Sequence, residues 1–428
     1  MPGVFLFATL DTKGHEAAFV RGLLASLGVP VTLVDVGALG SPVVVADIPR
    51  ERIFELAGTT LGRVRQKADR GEAVTKAAEG AARLAREAYA RGDVSGVLGL
   101  GGSAGTTIGT AAMRALPLGV PKVMVSTLAS GMVRQYVGDK DIFMLNAVAD
   151  IIGLNRVSRP VLSQAARAMA GLVQHAAPEE HAADKPIVAA TMFGVTTPCI
   201  DRARETLERA GYEVLVFHAT GNGGQAMESL ITEGCIAGVL DITTTELADE
   251  RVGGVLSAGP DRLTAAARMG IPQVVSTGAL DMVNFHALST VPVAFKDRRF
   301  YRHNANVTLM RTTPEENAAI GIEMATKLSA ARGPVAILLP ARGVSAIDKT
   351  GQPFDDPVAR AALHDAIRSG AHGQEIEVVD LDMHINDPEF ADAAVRKLLE
   401  LMAAAPSAEP RSREAASPGR KGERRDRG

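Results

Sequence analysis

Tryptophan is missing from this 428-residue chain, and 4 tyrosines with 12 phenylalanines supply all of its aromatic surface. That leaves little for a base-stacking platform. Neither sign of charge is in excess: 46 Lys and Arg face 49 Asp and Glu, a formal charge of −3. A phosphate-backbone binder would be basic, so no nucleic acid is expected as a partner. There are two cysteines, Cys199 and Cys235, which excludes a disulfide framework and a cysteine zinc site. No His-x-x-x-His or comparable pair occurs, so no metal site is expected. No apolar run approaches the ~18 residues of a membrane span. The apolar run 4–8 is too short for a secretory leader and has no basic residue before it. A cytoplasmic protein away from membranes is the expectation. The chain does have 43 glycines, 46% apolar and 22% charged residues. This is a globular composition with glycine to spare for tight βα turns and close backbone–ligand approach.

Short apolar runs bounded by Gly, Pro or Asp alternate with amphipathic stretches. Residues 4–9, 31–36, 96–100 and 122–126 read as buried strands, and 71–91 as a helix with apolar positions on one face. A second series follows, with strands at 187–192, 213–217, 236–242, 273–276, 307–311, 335–339 and 375–381. Helices are expected at 198–210, 314–331, 357–369 and 388–404, each opening on a proline suited to a first turn. Such βαβα alternation implies α/β architecture with mostly parallel, doubly wound sheets. The polar, Ala-rich stretch 174–184 reads as a linker, and 406–428, with seven basic and four acidic residues and almost nothing apolar, as a disordered tail. Segments 119–133 and 270–283 resemble each other, as do Gly96-Val-Leu and Gly238-Val-Leu. Either buried strands simply look alike, or a Rossmann-like unit is duplicated. The second account gives domains at 1–178 and 186–404, a cleft between them, and a disordered tail at 405–428.

The glycine loop Gly99-Leu-Gly-Gly-Ser-Ala-Gly-Thr-Thr107 follows a strand and opens a helix. Gly101, Gly102 and Gly105 would let backbone approach a phosphate at a helix N-terminus, with hydroxyls from Ser103 and Thr106. No Gly-Lys-Ser/Thr follows, so it is not a Walker loop. The next strand ends Ser126-Thr127 rather than in an acid, which disfavours NAD there. The first βα loop, Thr9-Leu-Asp-Thr-Lys-Gly-His15, opens on the same edge of a parallel sheet and adds Thr12, Lys13 and Gly14. Lys13 at a helix start is unfavourable unless an anion arrives, whereas Asp11 could be a plain cap. Asp35, ending the second strand, is a candidate ribose acceptor.

A second glycine loop, His218-Ala-Thr-Gly-Asn-Gly-Gly-Gln-Ala226, has Asp241 twenty residues after Gly221, which keeps an NAD(P) oxidoreductase open by spacing. Thr196-Thr-Pro-Cys199 puts a thiol in a first helical turn, where the dipole favours thiolate. With His218 and Asp241 at neighbouring strand ends, Cys199 suits a nucleophile, base and orienter. A free cysteine is otherwise a small packed hydrophobe. Thr197, Gly223, Glu246, Arg262, Asp281 and Asn284 are candidate contacts for a small anionic substrate, with Arg298, Arg299 and Arg302 nearby in sequence to His303.

These motifs together resemble the Tm-one-like ATP-binding family, named for a plant tobamovirus-resistance protein and including many bacterial members. The matching runs are 9–14, 99–105, 121–127, 193–199, 217–221, 238–249, 256–263 and 308–313, in order along residues 4–402. The resemblance implies two Rossmann-like domains and ATP, with Mg, bound by the first through Lys13, Gly14, Gly101, Gly102, Ser103, Gly105 and Thr106. It implies a TIM-barrel partner like phosphoenolpyruvate hydrolases, because longer relatives are fused to one. A homo-oligomer, a dimer above all, is also expected. The alternative to a small-molecule enzyme is a nucleotide-sensing interaction module without turnover.

Overall fold

The structure is a computed structural model that describes residues 2–131, 133–175, 185–372 and 376–404. Most of the expected linker and all of the expected tail lie outside the described residues. The chain clusters into two compact units.

The first unit runs β1 Gly3–Ala8, α1 Gly14–Ser26, β2 Val31–Asp35, α2 Arg50–Leu56, α3 Leu61–Lys67, α4 Arg70–Ala90 and β3 Val94–Gly101. It continues with α5 Ser103–Arg114, β4 Lys122–Ser126, α6 Arg134–Val137, β5 Phe143–Asn146 and α7 Ser158–Gln174. Its five strands are all parallel, in the order β2-β1-β3-β4-β5. Every residue of β1 and β4 is buried, because helices cover both faces. One core joins Phe5 and Phe7 to Ile53, Ala77, Leu84 and Ile108. The other joins Leu6 and Leu98 to Val20, Leu24, Leu162 and Met169. The alternation of side chains along β1 feeds one core and then the other. Helix α4 starts where Asp69 accepts the amides of Gly71 at 2.8 Å and Glu72 at 3.1 Å. It buries Ala73, Ala77, Ala81, Leu84, Ala85 and Ala88 as its 3.6-residue stripe.

The second unit runs β6 Ile187–Met192, α8 Thr197–Arg209, β7 Glu213–His218, α9 Asn222–Thr232, β8 Gly238–Thr243, α10 Glu246–Val252, α11 Ala265–Met269 and β9 Gln273–Gly278. There follow β10 Met282–Phe285, β11 Phe300–Arg302, β12 Thr308–Arg311, α12 Pro314–Ser329, β13 Val335–Pro340, α13 Pro357–Gly370, β14 Ile376–Leu381 and α14 Pro388–Ala404. Six strands form a parallel sheet in the order β14-β13-β9-β8-β6-β7. Numbered within each unit, the first five strands of both sheets follow the order 2-1-3-4-5. The resembling segments fall on equivalent strands, β4 with β9 and β3 with β8.

Residues 307–311 were expected to join the parallel series. Instead β12 pairs antiparallel with β10 and β11 in a separate three-stranded sheet. All four residues of β12 are buried. As the middle strand it shows no period-2 alternation, and its apolar run looks like that of a parallel core strand.

Candidate functional site

In a 2-1-3-4-5 sheet the direction of crossover reverses between the first and third strands, and ligands bind outside their carboxyl ends. In the first unit that point lies between β1 and β3, which are hydrogen-bonded neighbours. The turns leaving them lie within the two stretches singled out in the sequence, 9–15 and 99–107. Gly102 caps α5 with φ −81° and no side chain supplies a capping bond. Ser103 is exposed, and among the described residues nothing accepts from the amides of Ser103, Ala104 and Gly105. The three open first-turn amides of this twelve-residue helix therefore point at the rim, at the positive end of its dipole. Nothing in the fold demands glycine at 102. An added Cβ would meet Thr127 Oγ1 at 3.6 Å, ordinary contact. Gly101 and Gly105, by contrast, pack backbone against backbone. Thr106 is buried, its hydroxyl 2.6 Å from Ser126 Oγ, so it braces the loop rather than presenting an oxygen. Thr127 donates its amide to Gly101 O at 3.3 Å.

Lys13 is the residue before α1. Its ammonium donates to the Ile151 carbonyl and lies 3.6 Å from Asp150. Thr12 Oγ1 sits 2.8 Å from Thr9 Oγ1. Gly14 is covered by Val43, from the loop after β2.

Asp35 is not free to receive a ribose. One oxygen accepts the amides of Leu10 at 3.1 Å and Gly37 at 2.9 Å, and the other takes Arg50 Nε at 2.6 Å. Arg50 also donates to Gly40 O at 2.7 Å and lies 3.6 Å from Asp11. All three charged groups are buried, so Asp11 and Asp35 hold an internal guanidinium. Asp11 further anchors the amides of Leu39 and Gly40. Beside this cluster opens a cleft of about 480 Å³ lined by Asp35, Pro42, Val45, Arg50, Arg65 and their neighbours.

The second unit's glycine loop is occupied from within. Glu246 Oε1 accepts the amides of Gly221 and Gly224, and its Oε2 takes Arg262 Nε at 2.6 Å. Gly224 has to be glycine, since a Cβ there would run into Glu246 and Arg262. Arg262 is fully buried and also holds Asp241 through two nitrogens, at 2.6 and 2.7 Å. Burial alone would lower the Arg262 guanidinium, but Asp241, Glu246 and Glu228 hold it well above its ordinary value. Burial outweighs Arg262 at Glu246 and raises its carboxyl. Asp241 also accepts from Thr191 at 2.8 Å. The expected anion-binding Arg262 and ribose-binding Asp241 are thus each other's partners.

Asp249 accepts the side-chain amide of Asn284 at 2.7 Å and is pushed up to about 7, mainly by burial. Asp281 is likewise at about 7, through burial and then Asp348, against Arg311. It accepts the Ser345 hydroxyl at 2.8 Å. Asp348 is held by Arg360 at 2.9 Å and Arg311 at 3.4 Å. Ser345, Asp348, Arg311 and Arg360 were given no role in the sequence, although Arg311 falls in the matching run 308–313, and Arg50 and Arg65 were missed. They come from distant segments of the chain. Arg298, expected near an anionic substrate, is paired with Glu316 instead.

The thiolate expected at Cys199 is corrected. Its side chain is 1% exposed among Ile200, Ala203, Leu207 and Phe390, and burial pushes the thiol up to about 12. The helix dipole cannot offset desolvation of that size. His218 is exposed and stacks on Phe193 at 5.5 Å. Among the described residues no hydrogen bond or ion pair joins Cys199, His218 and Asp241 to one another. Thr197 Oγ1 bonds within its own turn, to Phe193 O and Gly194 O, and Gly223 packs under the His218 carbonyl. Among the described residues no group of three His, Cys, Asp or Glu could hold a metal ion, and no helix is long and apolar enough to cross a membrane.

The N-terminal domain of a family described as Uncharacterised protein family (UPF0261) matches residues 2–178, and its C-terminal domain matches residues 185–402. A UPF0261 protein of Clostridium tetani is 48% identical over 399 residues, 93% of this chain and 98% of its own length. One from Rhizobium meliloti is 49% identical over 396 residues, 92% of this chain and 98% of its own. The ToMV resistance protein Tm-1(GCR237) of Solanum lycopersicum is 43% identical over 426 residues. That match takes in 94% of this chain and 56% of the tomato protein.

Proposed function

The chain belongs to the UPF0261 family, as its motifs' resemblance to the Tm-one-like proteins implies, and we propose that its first unit binds ATP, as the magnesium complex, at the β1/β3 switch point. One observation carries this reading: the uncapped, accessible N-terminus of α5 beside a glycine, Gly102, that the fold itself does not need. Open first-turn amides and the positive helix end favour a phosphate. Lys13 supplies a cation on the neighbouring loop, where an arriving phosphate would compete with Asp150. The second unit's glycine loop, which leaves its second strand, β7, rather than its third, is no such cradle, because Glu246 already fills it. An NAD(P) reading lacks its ribose acceptor in either unit, since Asp35 and Asp241 are both consumed by arginines.

Calorimetric titration of ATP into the full chain and into Gly102→Val is the test. The branched side chain would stand where backbone meets phosphate, and ATP affinity should fall at least about tenfold. Undiminished ATP affinity in the variant removes the proposal, and tighter binding of NAD than ATP replaces it with the oxidoreductase. A second reading, a nucleotide-sensing interaction module, is favoured by the edge strand β5 and the segment after it, where Phe143, Val148 and Ile152 are 61%, 73% and 69% exposed. It is distinguished from an enzyme that uses the bound ATP by ATP binding without release of phosphate.

A further inference from the structure

We infer that the cleft at the carboxyl end of β2 receives the nucleoside half of the bound nucleotide, with Arg65 as its base-contacting residue. This rests on the phosphate site read above and adds where the rest of the ligand goes and what recognises it.

Position comes first. β2 pairs with β1, and β1 with β3, so the cleft lies two strand spacings, about 10 Å, along the same rim from the α5 N-terminus. A nucleotide with its phosphates at α5 has to extend along this rim, and the loop after β2 joins the two places. Val43 of that loop packs over Gly14, next to Lys13, and its amide donates to Leu10 O at 3.0 Å. The volume, about 480 Å³, lies within the range of small-ligand pockets.

The lining suits a nucleoside better than a second phosphate. Pro42, Val43, Val44, Val45 and Ala46 form an apolar wall. Val43 and Val45 are 51% and 87% exposed, which a flat apolar ligand would relieve. Asp35 and Glu51 on this lining match Arg50 and Arg65, which leaves no net positive charge to draw a second phosphate. Arg65 donates Nε to Ala38 O at 2.7 Å and Nη2 to Leu39 O at 3.0 Å. Two fixed bonds hold the guanidinium plane, and among the described residues no carboxylate pairs with it and Nη1 has no partner. A fixed guanidinium offers a flat face for a purine and a donor for a ring nitrogen. Arg50 Nη2 is buried near Gly37, without an acceptor among the described residues.

The experiment compares ATP with inorganic tripolyphosphate, which has the phosphates and no nucleoside, by calorimetry on the full chain. Wild type should bind ATP at least about tenfold more tightly than tripolyphosphate. Arg65→Ala and Ser41→Trp, which fills the cleft from an exposed position, should each lose that preference while retaining tripolyphosphate binding. Retained tripolyphosphate binding also reports that the variants fold. Equal affinity of wild type for the two ligands overturns the inference and leaves the phosphate site standing, as does an ATP preference that survives both substitutions. Absence of binding of either ligand to wild type overturns both.

Discussion

Glu246 sits inside the turn that Gly224 closes: its Oε1 accepts the Gly221 amide at 2.6 Å and the Gly224 amide at 3.1 Å. The chain's own carboxylate thus takes up the amides of this glycine turn, whereas among the described residues those at the start of α5 find no internal partner. Removing it leaves two amides unpaired and Arg262 with one counter-charge fewer. Glu246→Ala should therefore cost roughly 3 kcal/mol of stability, at the low end for breaking a buried pair because Asp241 and Glu228 remain. Urea unfolding checks this. An unchanged midpoint would mean that the turn does not depend on its internal anion.

The two glycine loops should respond oppositely to a methyl group. Gly102→Ala meets only Thr127, at contact distance, and should change stability by less than about 1 kcal/mol. Gly224→Ala drives a Cβ into Glu246 and Arg262 and should cost about 1–3 kcal/mol or more by overpacking. Thermal or urea melts of the pair, run side by side, read the difference.

Cys199 should behave as packing. With its thiol at about 12, iodoacetamide should leave it unlabelled in the native protein from pH 7 to pH 9 and label it in denaturant. Peptide mass spectrometry separates it from the half-buried Cys235. Cys199→Ala should cost about 1–3 kcal/mol, as core truncations do. Native labelling near pH 7 would restore the nucleophile.

His364 should make stability depend on acidity. It is 4% exposed on α13, and burial, then Arg368, lowers it from 6.5 to about 4. The unfolded chain therefore binds the proton more readily between those values. The stability contributed is full above pH 6.5 and is lost as pH falls toward 4, about 3 kcal/mol in all. Asp249 and Asp281 act in the opposite sense, because their raised carboxyls favour the protonated native state. The comparison is accordingly wild type against His364→Gln at each pH. The difference in unfolding free energy should shrink as pH falls from 7 to 4.5, and a constant difference would show that the ring is not buried neutral.

Local pattern was enough for most of the elements. β4 at Lys122–Ser126 and α14 at Pro388–Ala404 fall where the apolar run and the N-terminal proline put them, because strand burial and helix starts are written in neighbouring residues. Cys199 was legible too: with Ile200, Ala203 and Leu207 it lies on the buried stripe of α8, a period that outweighs the first-turn argument for a thiolate. β12 was not, since only its partners make it antiparallel.

The sites divide in the same way. By composition the loops at 99–107 and 221–226 are alike, glycine-rich turns that open helices. What separates them is Glu246, arriving from 22 to 25 residues away to fill one, while among the described residues nothing arrives at the other. Arg50 reaches Asp35 from 15 residues on, and Arg65 reaches Ala38 from 27. The residue types and spacing determined that this chain builds parallel sheets with glycine turns at their carboxyl edge. Tertiary structure alone decided which turn keeps its amides free, because an amide's vacancy depends on long-range partners that no local pattern encodes.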